Sequence, residues 1–296
     1  MRTILIALVA VLAIAAAAFW ALSRPDPLPD ADFAGLSGDA ERGEAVFWAT
    51  GCASCHAAPG ASGDDRLVLS GGRSLESDFG TFRAPNISTD PEHGIGGWTL
   101  AEFGNAMLRG VSPDGRHYYP AFPYTSYRFA TLEDVADLKA FMDTLPATDA
   151  PSPANDLAFP FNLRRGIGLW KRLNLPDGWA VPDPLDAQAE RGRYLSEALA
   201  HCGECHTPRK RLGGMDRARW LAGAPNPSGD GRIPAIDPGT LTWSKDEIAG
   251  YLATGFTPSF DTAGGTMAAV VQSLSQLPRE DLDAIAAYLA AVPAQR

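Results

Sequence analysis

Cys52-Ala53-Ser54-Cys55-His56 and, 150 positions later, Cys202-Gly203-Glu204-Cys205-His206 decide the reading of this chain. In each copy two thiols stand three positions apart, so each adds across one vinyl group of a haem. The histidine directly after the second thiol is placed to ligate the iron. C-x-x-C-H is the attachment signature of haem c. The two copies use all four cysteines of the 296 residues. A zinc site would have to pool ligands from two distant pairs. A thioredoxin-like dithiol has no need of the histidine and sits in a βαβ setting. The sequence therefore predicts two covalent haem c groups on Cys52, Cys55, Cys202 and Cys205, with His56 and His206 as iron ligands.

A chain of this length has room for about two domains, one for each motif. The apolar fraction of 45% supports buried cores, while 30 Gly and 24 Pro imply long irregular connections. The expected fold is mainly α, with helices wrapped on a large planar cofactor. With every cysteine assigned to haem, none is left for a disulfide. A net charge of −10 argues against a nucleic-acid partner.

Thr3 to Leu22 is an unbroken apolar run, long enough to cross the hydrocarbon layer of a membrane as a helix. We read residues 1–23 as an anchor with Trp20 at the far interface. A cleaved signal peptide, with small residues from Ala15 to Ala18, is the competing reading. Both place the remainder of the chain in the periplasm, where c-type haem is attached, and the anchor places it at the inner membrane. Residues 24–37, rich in Pro and Asp, read as a linker.

Beyond the linker the chain repeats itself. Ala40-Glu41-Arg42-Gly43 leads to Cys52, as Ala189-Glu190-Arg191-Gly192 leads to Cys202. Trp98-Thr99 and Trp243-Ser244 each place Thr or Ser three residues ahead of a Glu, the capping-box signature of a helix start. Gly110 and Gly255 stop those helices at matching distances. A last helix closes each copy, with stripes from Leu132 to Leu145 and from Leu282 to Val292. The expected boundaries are 38–148 for the first domain, 149–185 for a Pro-rich connector and 186–296 for the second domain.

These features resemble the class I c-type cytochrome fold, in two tandem domains. Tyr119-Pro120-Ala121-Phe122-Pro123-Tyr124, the connector from Phe161 to Trp170, and the Met267 to Leu289 segment are similar to multihaem cytochrome subunits of membrane-associated bacterial dehydrogenases. That resemblance implies an electron carrier whose partners are redox proteins: a dehydrogenase subunit, a cytochrome or an oxidase.

In this fold the sixth iron ligand is usually a methionine from the loop before the last helix. In the second domain that position is Met267. Counting from the capped Trp, Met267 falls on Phe122 in the first domain, and phenylalanine has no donor atom. Met107 on the Trp98-capped helix, His117 in the loop, or no protein ligand at all remain open for haem 1. Trp98 and Trp243 are candidates for hydrogen bonds to haem propionates, and Arg164 and Arg165 for their neutralisation. Met142 and Met215 read as packing residues, and His93 and His201 as loop and helix-end residues.

The expected function is single-electron transfer from a dehydrogenase or quinol-linked donor to a downstream cytochrome or oxidase, with no catalytic residues. The alternative is a dihaem enzyme, a peroxidase or a sulfur-compound oxidoreductase, with haem 1 as an open catalytic centre.

Overall fold

Arg2 to Leu22 forms one helix, α1, whose apolar window has a mean hydropathy of 2.8 and none of whose residues is buried. At 1.5 Å per residue it is about 31 Å long, the thickness of a hydrocarbon layer. The computed structural model describes residues 1–227, 229 and 231–294.

After α1 the chain passes twice through one order of elements. The first pass is α2 (Ala40–Thr50), α3 (Cys52–His56), a hairpin of β1 (Ser74–Ser77) and β2 (Gly80–Arg83), α4 (Leu100–Arg109), α5 (Tyr124–Tyr127) and α6 (Leu132–Met142). The connector contributes β3 (Asp156–Leu157), which pairs antiparallel with β2, and α7 (Ile167–Asn174). The second pass is α8 (Ala187–Arg193), α9 (Cys202–His206), the pair β4 (Ala224–Pro225) and β5 (Arg232–Ile233), α10 (Lys245–Thr254), α11 (Gly265–Leu274) and α12 (Arg279–Ala291).

The repeated Ala-Glu-Arg-Gly marks where helices cross. A Cβ on Gly43 would collide with the Asp137 carbonyl on α6, and one on Gly192 with the Ala284 carbonyl on α12. Only glycine permits either approach. The arginine before each glycine locks the crossing with a two-pronged ion pair. Arg42 Nε and Nη2 reach Asp137 at 2.7 and 2.9 Å, and Arg191 Nε and Nη2 reach Asp281 at 2.9 Å each. Phe47, Val135 and Leu138 fill the first crossing, and Leu195, Ile285 and Tyr288 the second. Each such side chain contributes about 1.5–3 kcal/mol when fully buried.

Cys52 lies nine positions after Gly43, but Cys202 lies ten after Gly192. The extra residue is absorbed in a π turn from Tyr194 to Leu199, which continues α8. An inserted residue would otherwise rotate the second motif by about 100° about the helix axis, and a π turn takes it up without breaking the helix.

Both capping boxes are formed, with Thr99 and Glu102 on α4 and Ser244 and Glu247 on α10, and both helices end on left-handed glycines, Gly110 and Gly255. Residues 24–37 are not free of the body. Leu28 exchanges backbone hydrogen bonds with the Asn105 side chain at 2.6 and 3.1 Å, and Phe33 is buried against Gly104.

Candidate functional site

Each C-x-x-C-H sits on a short helix that restarts after one residue in the left-handed region, Gly51 (φ 65°) before α3 and His201 (φ 44°) before α9. The helix brings the histidine beneath a loop returning from the hairpin. His56 Nδ1 lies 2.8 Å from the Pro85 carbonyl, and His206 Nδ1 lies 2.8 Å from the Pro234 carbonyl. A carbonyl only accepts, so Nδ1 carries the proton and Nε2 keeps its lone pair. This is the arrangement that orients a histidine toward a metal and raises its basicity. Burial pulls the pKa of both rings down, which favours the neutral form.

Further bonds hold each loop in place. Gly71 N–H donates to His56 O (2.6 Å) and Gly223 N–H to His206 O (2.7 Å). The prolines belong to a third repeat, Arg83-Ala84-Pro85-Asn86-Ile87 and Arg232-Ile233-Pro234-Ala235-Ile236. Sequence reasoning missed it, although R-x-P-x-I recurs in the chain; a carbonyl partner carries no side-chain signal.

Burial pushes Cys52 up to about 11 and Cys202 up to about 12, whereas a reactive dithiol needs a lowered pKa. Among the described residues no three His, Cys, Asp or Glu side chains converge as a metal cage. The residues fit haem c: in each copy two thiols that would attach it and one oriented imidazole that would hold its iron.

Met267 is half-buried against the core, but it lies in the first turn of α11 rather than in a loop. The corresponding helix of the first half, α5, begins only after Phe122. Pro123 disfavours a helical Phe122, whereas the second half has Ala268 at that position and its helix starts two residues ahead of Met267. Phe122 packs among the rings of Tyr118, Tyr124 and Tyr127. Met107 is 5% exposed, on the last turn of α4 and within the core.

His117 is 3% exposed, and its Nε2 is 2.8 Å from the carbonyl of Ser23 at the end of α1. Trp98 and Trp243 are half-buried against the core, Trp243 edge-on to Tyr251. Arg164 lies over the Tyr119 ring, and Arg165 donates to Ser23 Oγ (2.9 Å) and Trp20 O (2.7 Å). Both arginines are thus engaged by the protein, Arg165 at the end of α1. Met142 is buried, and Met215 packs on the core.

The cytochrome c family profile matches residues 40–146. Across its length the chain is 59% identical to a diheme cytochrome c-type protein of Cereibacter sphaeroides, with 99% of each chain covered. The chain belongs to the dihaem c-type cytochromes. It is related to cytochrome subunits of dehydrogenases as well. It is 39% identical over 261 residues to the fructose dehydrogenase cytochrome subunit of Gluconobacter japonicus, covering 86% of this chain and 52% of that one. It is 33% identical over 267 residues to the cytochrome c subunit of the quinone-dependent alcohol dehydrogenase of Gluconobacter oxydans, covering 86% of this chain and 55% of that one. The cytochrome thus spans about half the length of each of these two. Membership implies covalent haem c.

In this dihaem cytochrome the two motif helices meet the opposite half by equivalent residues. Ser54, third in the first motif, donates from Oγ to Ala269 O on α11 (3.1 Å) and lies 3.1 Å from Ser273 Oγ. Glu204, third in the second motif, accepts from the hydroxyls of Thr125 and Ser126 on α5. Tyr127 completes the seam, donating to Thr50 O (2.9 Å) ahead of α3 while its ring meets His201 ahead of α9 at 5.6 Å. Each motif helix is thus held against a helix of the opposite half, α3 on α11 and α9 on α5. None of these partners was legible as a site residue, because each is defined by a contact between halves.

Proposed function

We propose that the chain is a membrane-anchored periplasmic electron carrier with two haem c groups, one on Cys52, Cys55 and His56 and one on Cys202, Cys205 and His206. It passes single electrons from a dehydrogenase or quinol-linked donor to a downstream cytochrome or oxidase. Residues 38–148 and 186–296 are then two cytochrome c domains. The observation that carries this reading is that each haem motif is held against the opposite half, by Ser54 on α11 and by Glu204 on α5. The kinship with dehydrogenase cytochrome subunits supports it.

When bound, haem c supplies a one-electron couple whose potential follows its axial ligands. The chain's own part is to hold and shield. Pro85 and Pro234 fix the tautomers of His56 and His206. The buried crossings keep water away, and the shared interface keeps the two motifs in register. Met267 is the second ligand in the second domain. In the first domain we assign that role to Met107, in the core on the last turn of α4; Phe122 has no donor atom, and His117, whose Nε2 pairs with Ser23 O while its buried Nδ1 has no partner, is the rival donor. That pairing, with the bonds from Arg165 to Trp20 O and Arg172 to Leu22 O (2.5 Å), ties the end of α1 into the fold and favours an anchor over a cleaved leader.

Phe122 is also the observation that favours the alternative of an open, reactive haem 1. The experiment that separates the two is turnover of the isolated full chain, carrying two haems by pyridine haemochrome assay. The carrier reading expects no turnover with hydrogen peroxide or thiosulfate and rapid reduction by a quinol-linked donor. Steady turnover with either substrate would establish the enzyme.

A further inference from the structure

Phe159 and Leu173 are 77% and 74% exposed, and Phe161 and Leu163 between them are exposed too. The stretch from 159 to 174, Phe-Pro-Phe-Asn-Leu-Arg-Arg-Gly-Ile-Gly-Leu-Trp-Lys-Arg-Leu-Asn, holds three arginines and no acid in a chain whose net charge is −10, while its Lys171 turns inward and donates to the Arg109 and Gly110 carbonyls. Apolar side chains pointing outward beside basic ones make the composition of an interfacial membrane segment.

Its position in the fold says what covers it. The segment is docked on the last turn of α1, the helix long and apolar enough to span a bilayer. Arg165 stacks over the Trp20 ring at 4.2 Å and donates to Trp20 O, Arg172 donates to Leu22 O, and α7 lies so close to Ser23 that a Cβ on Gly168 would strike the Ser23 carbonyl. Trp at the end of a spanning helix marks the headgroup level. Residues bonded to Trp20 and Leu22 therefore lie at that level as well. Trp170 Nε1 donates to Leu212 O (2.7 Å), which holds exposed Leu212 and its basic neighbours Lys210 and Arg211 beside the same segment.

We propose that residues 159–174 are a second membrane contact, a collar around the exit of α1. It seats Phe159, Phe161, Leu163 and Leu173 among the acyl chains just below the headgroups, with Arg172 at the anionic phosphates. One anchor alone leaves the body free to swivel; an anchor with a collar fixes which face of the haem domains looks away from the membrane. Basic residues next to a membrane exit add to the attachment where the leaflet is anionic. The proposal rests on the reading of α1 as an anchor, and its test separates the two.

The full haem-loaded chain is reconstituted in liposomes of phosphatidylethanolamine and phosphatidylglycerol containing a phosphatidylcholine with a diazirine high on one acyl chain. After irradiation, lipid-bearing peptides are mapped by mass spectrometry. The expected result is adducts on α1 and on 159–174, the latter about tenfold above a control peptide from the start of α12. Replacing two exposed side chains together, Phe161→Asp and Leu173→Asp, should abolish the collar adducts while leaving α1 adducts and the haem spectrum intact. Adducts on α1 alone would overturn the collar, leave the anchor standing and point to a partner protein as the cover. Adducts on neither segment would overturn the anchor and the collar with it.

Discussion

Ser54 and Glu204 occupy the same place in the two haem motifs, and each reaches out of its own half to touch the other. The seam is therefore pseudo-symmetric: Ser54 meets α11, the helix that carries Met267, and Glu204 meets α5, which starts just after the matching Phe122. Ser54→Ala removes a hydrogen bond worth about 1 kcal/mol. Glu204→Ala strips the partners of Thr125 and Ser126 and an ion pair with Arg209, and should cost about 1–3 kcal/mol. The double variant should show two thermal transitions by calorimetry where the parent shows one. A single sharp transition in the double variant would mean that the halves are coupled elsewhere.

Gly43→Ala and Gly192→Ala should each destabilise the protein by about 2–3 kcal/mol or more, since the new methyl meets a backbone carbonyl that has no side-chain freedom to yield. Denaturant titration reads the loss. The two substitutions should behave alike because the two crossings are alike. A mild effect at one of them alone would show that its helices can slide apart.

Glu197 lies on the π turn, 4% exposed, and accepts from Tyr288 OH (2.6 Å), Ala180 N–H (2.5 Å) and Val181 N–H (3.1 Å), while Trp220 Nε1 donates to Tyr288 OH (2.9 Å). Burial raises its carboxyl above the ordinary 4.5. The native state thus keeps a proton that the unfolded chain has released, so this residue's contribution falls as pH rises from about 4.5 through the folded value and is flat above it. Glu197→Gln should flatten that part of the stability–pH curve. Glu197→Ala should cost about 2–3 kcal/mol by leaving buried donors unpaired. An unchanged pH slope in the Gln variant would assign the titration to another group.

Much of this was legible beforehand because it is local. A capping box, a left-handed glycine and a C-x-x-C-H each announce themselves within a few residues, and their duplication made the two halves visible. What stayed hidden depends on distant partners. Nothing in the sequence near His56 says that the Pro85 carbonyl will accept its Nδ1–H hydrogen bond, and nothing near Glu204 says that α5 will be brought against it. Met267 was expected in a loop because the resemblance puts the sixth ligand in the loop before the last helix; without the prolines that fence Phe122, that stretch closes into helix. His117 was read as a loop residue and candidate ligand, and nothing near it announces that Nε2 pairs with a carbonyl 94 residues earlier.

His117 and Met107 can be told apart by substitution. Met107→Leu should turn one haem high-spin in the ferric state and open it to added ligands, while His117→Phe should leave both haem spectra unchanged and loosen the end of α1. Optical and EPR spectra of the two variants check this. A spectral change in the His117 variant with none in the Met107 variant would reverse the assignment.

The most direct measurement is low-temperature EPR of the ferric full-length protein, taken before and after adding cyanide. A carrier whose irons are both capped from within the chain gives two low-spin signals that cyanide does not alter. A high-spin signal that converts on adding cyanide would contradict the account, leaving the first haem open and moving the enzyme reading ahead.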